Sequence, residues 1–144
     1  MPAADLALAR RLERAEAMAN AAFVDSRREC QPDVGAEWTD VAGVYAMFDG
    51  PASQLTQTFG AGLFEPFGAS EFDQVEEFFA SRGAPTFHEV SSFAAPETLG
   101  LLGARGYSPI EASTVLVRPT SEAFVANEGP ITVRPIAATE MTLW

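Results

Sequence analysis

The sequence predicts an α/β fold, more closely α+β, in which a mixed and largely antiparallel sheet is flanked by helices. Three observations lead there: an amphipathic helical period near the amino terminus, several β-rich runs bounded by turn residues, and short helical patterns between those runs. With 144 residues, 47% of them apolar, the chain has enough material for the core of one such domain.

From Asp5 to Glu29, Leu8, Leu12, Ala15, Ala19, Ala22 and Phe23 recur at three- and four-residue spacing, which predicts a helix with Asp5 as N-cap. Pro32 bars its continuation. The run Trp38 to Phe48 predicts one strand, ended by the turn signal Asp49-Gly50-Pro51, and residues Gln54 to Phe64 predict a second strand antiparallel to it. Ser70 is expected to open a short helix, with Asp73 completing an approximate capping box. Phe72, Val75, Phe78 and Phe79 form its expected buried stripe, and Gly83 its close. Pro85 to Phe93 reads as a third strand, Pro96 as the first turn of a two-turn helix ending between Gly103 and Gly106, and Tyr107 to Arg118 as a fourth, alternating strand.

Residues 119–130, PTSEAFVANEGP, read as a connector bounded by prolines. ITVRPI then predicts another strand, and Thr139 an N-cap for a helix that stops at Trp144. One helical turn cannot offset its own nucleation, so the pattern is expected to continue downstream. The organisation read from the sequence is a domain over 1–118, a linker over 119–130, and the start of a second domain over 131–144.

The nine cationic residues are all arginine and the formal net charge is −11, a balance that argues against nucleic acid or an anionic membrane surface as partner. The basic cluster Arg10, Arg11, Arg14, Arg27 and Arg28 is interleaved with Glu13, Glu16 and Glu29, as on a solvated helix face. A single cysteine, Cys30, excludes an internal disulfide, and neither a signal-peptide pattern nor an 18-residue apolar run is found. A cytoplasmic location is the expectation.

One histidine and one cysteine cannot supply the clustered ligands of a transition-metal site, so no metal is expected. His88, beside Phe87, reads as a packed or edge-strand residue rather than a catalytic base. No lysine exists to complete a phosphate-binding GK[ST] loop, and Gly60-Ala61-Gly62 better suits a bulge or close strand packing than a cofactor loop. Glu89 is the one catalytic candidate. If it shares an inward face with Phe87 and Phe93, desolvation should raise its pKa as a general base requires; the alternative is a hydrogen-bonded structural carboxylate.

The segments FDGPASQLTQTFGAGL, FDQVEEFFASRGAP, FHEVSSFAAPETLGLLGARGY and EASTVLVRP, in this order, resemble the amino-terminal half of bacterial tandem GNAT N-acetyltransferases. ITVRPI is similar to the opening strand of a further GNAT domain. The resemblance implies a parent acyltransferase that uses acetyl-CoA, with this half as a scaffold or as one wall of the acceptor-substrate cleft. In an active domain a strand ends at [QR]-x-x-G-x-[GA], whose amides hold the cofactor diphosphate. The corresponding stretch here is Glu65-Pro66-Phe67-Gly68-Ala69-Ser70. Gly68 and the small Ser70 are kept, but Glu65 replaces the basic or amide residue and Pro66 lacks an N–H. Where such domains often carry a tyrosine that protonates the departing thiolate, Leu102 stands.

The resemblance therefore implies that this half neither holds acetyl-CoA nor transfers the acetyl group alone. Its partners would be a carboxy-terminal catalytic domain and a small amine acceptor, with Trp38 and Tyr45 as candidate substrate-binding residues. Homodimerisation is a further possibility, and the alternative reading is a free-standing binding or dimerisation module without enzymatic activity.

Overall fold

The fold was analysed in a computed structural model, which describes residues 5–119, 121, 129–130, 134–135, 137 and 139–140. The chain divides into two compact units, residues 2–113 and residues 114–144 together with residue 1. In the larger unit a three-stranded antiparallel sheet lies between helices, the mixed α+β architecture expected from the sequence.

Helix α1 (Leu6–Cys30) starts where Asp5 accepts a 2.7 Å hydrogen bond from the Leu8 amide, satisfying one of the orphan donors of the first turn. Its packed face differs from the expected one. Ala17, Ala21 and Val24 are buried, whereas Ala15, Ala19, Ala22 and Phe23 face solvent. Two alanines on the inner face let the helix backbone approach the sheet closely, which the bulkier Phe23 would prevent.

The stretch expected as one strand, Trp38 to Phe48, is instead two. β1 (Glu37–Val41) turns at Ala42-Gly43 into β2 (Val44–Phe48), with Val41 opposite Val44 and Trp38 opposite Met47. Both turn residues have positive φ, +52° and +78°, as a two-residue hairpin turn of the primed kind demands. Asp40 accepts from the Gly43 amide at 2.8 Å and helps fix the turn. β3 (Gln57–Phe59), far shorter than expected, adds antiparallel to β2 and gives the order β1-β2-β3. Ahead of it, Thr56 Oγ1 accepts from the Asp49 amide at 3.0 Å and donates to the Gly50 carbonyl at 2.6 Å, closing the turn that the sequence signalled.

Helix α2 (Ala69–Ala80) begins one residue before the expected Ser70. Gly68 is its N-cap, and the capping carboxylate is Glu71 rather than Asp73, accepting from the Gly68 amide at 2.9 Å. Phe72, Val75 and Phe79 are buried as expected and Phe78 is half-buried. The end is a Schellman motif in which the Gly83 amide donates to Ala80 and the Ala84 amide to Phe79. Helix α3 (Pro96–Ala104) carries its proline in the first turn and closes with the same pattern at Gly106 and Tyr107.

Two expected strands do not form. Of Pro85 to Phe93, only His88 bridges in parallel to Thr58, through Thr58 N–H to Phe87 O and Glu89 N–H to Thr58 O, both 2.9 Å. Tyr107 to Arg118 has no regular structure, and Ile110 and Leu116 are 80% and 87% exposed. Alternation makes a strand only where a neighbour completes the ladder and one face is covered. In the second unit Arg134 forms a two-pronged contact with Glu140, at 2.8 and 2.6 Å, while residues 131–133, 136, 138 and 141–144 of the expected strand and helix lie outside the described residues.

The core is two clusters, one on each face of the sheet. Met47 and Phe59 pack with Ala17, Ala21 and Val24 of α1; Val44 and Ala46 pack with Phe67, Phe72, Val75 and Phe79. A Cβ added at Gly43 would lie 2.8 Å from the Phe64 Cβ in addition to the left-handed strain. Gly43→Ala is accordingly expected to lose about 2 kcal/mol of stability in urea unfolding, with the slope of the transition unchanged.

Candidate functional site

The hairpin and α1 together position the two aromatic residues singled out in the sequence. Trp38 and Tyr45 occupy diagonal places on the α1 side of the hairpin and stack at 5.3 Å with an interplanar angle of 10°. Asp25 of α1 accepts from Trp38 Nε1 at 3.1 Å and from Arg28 at 2.7 Å, both through Oδ1. Asp25, Trp38 and Tyr45, with Met18, Ala21 and Ala22, line a pocket of about 190 Å³. One helical turn earlier the Arg14 guanidinium lies 5.0 Å from the Tyr45 ring centre and 4.0 Å from that of Phe64, a cation–π arrangement backed by Asp40 at 3.9 Å.

Glu89 belongs to a different group. It is half-buried on the segment bridged to Thr58, and Phe87 and Phe93, expected inward beside it, are 43% and 38% exposed. Burial raises its pKa first, then the charges of Glu16 and Glu111. The stronger effect falls on Glu13 of α1, whose carboxyl is pushed up to about 7 by burial and then by Glu89 and Glu16, against a hydrogen bond from the Gly60 amide. Glu13 escaped the sequence reading. It precedes Ala17 by four residues and so extends the packed stripe, and a carboxylate in that register was the available signal.

His88 is packed, as expected. Its Nδ1 is 2.8 Å from Thr58 Oγ1, and its ring meets Phe72 and Tyr107 edge-on. Burial lowers its pKa to about 4. Tyr107 donates to Glu76 at 3.0 Å and Arg105 bridges Glu76 and Asp73, which ties the end of α3 to α2.

The loop compared with a cofactor loop, Glu65, Pro66, Gly68 and Ser70, enters the start of α2 beside a cavity of about 430 Å³. Phe67 is buried, the Gly68 amide is taken by Glu71, and Arg10 holds the loop by donating to the Leu63 carbonyl at 2.7 Å. Around that cavity Glu65 and Glu97 outnumber Arg10. Leu102 is half-buried against the α2 side of the core.

Among the described residues, no group of three or more His, Cys, Asp or Glu side chains is arranged to hold a metal ion, and no helix is long and apolar enough to cross a membrane. Comparison with protein-family models, with curated proteins and with solved structures finds no match to this chain.

Two of the shifted groups, His88 and Glu13, impose opposite pH dependences. His88, lowered from 6.5, costs stability as pH falls from about 6.5 to about 4, because the unfolded chain takes up the proton first. Glu13, raised from 4.5 to about 7, favours the fold below pH 4.5 and loses that contribution as pH rises through 7. Glu13→Gln removes the second effect only. Thermal unfolding is expected to show the variant gaining about 1 kcal/mol on wild type between pH 4.5 and pH 8, a few degrees in Tm, after allowance for solvent screening of a half-buried group.

Proposed function

We propose that this chain is the non-catalytic amino-terminal half of an acetyl-CoA-dependent GNAT N-acetyltransferase, a scaffold and one wall of the acceptor cleft for a carboxy-terminal catalytic domain. The observation that carries this reading is the Gly68–Glu71 contact. A diphosphate held at the start of α2 would need the Gly68 amide, and Glu71 already takes it with a carboxylate. Pro66 supplies no amide hydrogen, and Glu65 and Glu97 add like charge beside the same cavity. The acetyl-CoA diphosphate does not fit this donor set.

The support for the resemblance is the residue order read from the sequence; of its segments, FHEV carries a single bridge to Thr58 and EASTVLVRP no strand. The acidic surface and the Trp38–Tyr45 stack suit an amine acceptor, and the charge balance is unsuited to nucleic acid or an anionic membrane. A cytoplasmic location fits the unpaired Cys30, which is exposed.

The alternative, a free-standing binding or dimerisation module, draws on the apolar residues Val115 and Leu116, 66% and 87% exposed. A second copy could cover them. Thermal shift with acetyl-CoA tests the first reading: the Tm of the 144-residue chain is expected to stay constant up to millimolar cofactor, and stabilisation by several degrees overturns the proposal. Light scattering tests the dimerisation form of the second, which requires a dimer.

A further inference from the structure

We propose that the pocket between the carboxy-terminal half of α1 and the hairpin binds a small organic ammonium ion with an apolar body, and that Asp25 is the residue selecting for its charge. This deepens the acceptor-wall reading, on which its meaning in the parent protein rests. Three features carry the assignment. The walls are mostly apolar: Met18, 58% exposed, lines the pocket together with Ala21, Ala22 and the stacked Trp38 and Tyr45. An aromatic surface attracts a cation and an alkyl or aryl group alike.

The second feature is the asymmetry of Asp25. Its Oδ1 takes both the Trp38 indole and Arg28, while Oδ2 has no hydrogen-bond partner among the described residues. Trp38 thus orients the carboxylate, which lines the pocket with one oxygen not engaged by these two donors. An ammonium there gains one charge-assisted hydrogen bond without displacing the indole. The third feature is size. The open pocket of about 190 Å³ has room for a single ring or a short alkyl chain bearing one amine. The net charge of −11 favours a cation over an anion, and Arg28 is the built-in competitor for Asp25.

Binding is measured without acetyl-CoA, so this inference and the acetyltransferase reading can fail separately. The full chain carrying Trp144→Phe leaves Trp38 as the sole indole reporter. Its fluorescence is titrated with phenethylammonium and, in parallel, with 2-phenylethanol. Saturable quenching at millimolar ammonium is expected, with at least about tenfold weaker response to the alcohol. Asp25→Asn should remove most of that preference, and Arg28→Gln should tighten ammonium binding about threefold by freeing the carboxylate. Circular dichroism checks that each variant is folded. Should Asp25→Asn fail to fold, the Arg28→Gln titration decides. Equal affinity for amine and alcohol, an unaltered preference in folded Asp25→Asn, no gain in Arg28→Gln, or no saturation with the ammonium would each overturn the proposal.

Discussion

β2 carries the architecture because it is covered on both faces, and a strand in that position can be built only of residues that all tolerate burial. Its sequence, VYAMF, meets the condition. Val44 and Ala46 belong to the α2 side of the core, and Tyr45 and Met47 to the α1 side. A slip of one residue in pairing would exchange the two sets, so the tight Ala42-Gly43 turn that fixes the register also fixes which side chains meet which helix. Trp38 reaches Tyr45, and both reach α1, as a consequence of that register.

Arginine serves here as a staple. Arg105 ties the end of α3 to Asp73, Glu76 and the Ala69 carbonyl of α2; Arg82 joins α2 to Glu37 of β1 while covering Phe78; Arg27 sets its guanidinium 3.5 Å from the buried Asp49. A planar, always-charged fork with several donors suits such multi-element contacts better than a lysine would. With these cations committed to neighbouring acids, the excess carboxylates dominate the field that an approaching molecule meets.

Helix positions were legible in the sequence because their signals are local. Asp5, Pro96, Gly83 and Gly106 act within a few residues of themselves, and each stands at a helix end. Strands were read less well, since a strand depends on partners far away in sequence. The period-two pattern of Tyr107 to Arg118 has no ladder, and the long run from Trp38 concealed a turn, because Ala42 gives no warning that it will adopt positive φ. For the site, Trp38 and Tyr45 were recognisable as candidates, but their stacking, and the roles of Asp25 and Glu13, follow from the rotation of α1. That rotation is chosen by how closely alanines let the helix approach, which hydrophobic spacing alone does not report.

The alanine-rich seam of α1 also bears on how the domain comes apart. Ala17 and Ala21 bury little apolar area, whereas the opposite helix anchors itself with Phe72, Val75 and Phe79. Amide protons of α1 should therefore exchange with solvent through partial openings that leave the hairpin and α2 intact, and the aromatic pair beneath α1 becomes transiently accessible whenever that helix lifts.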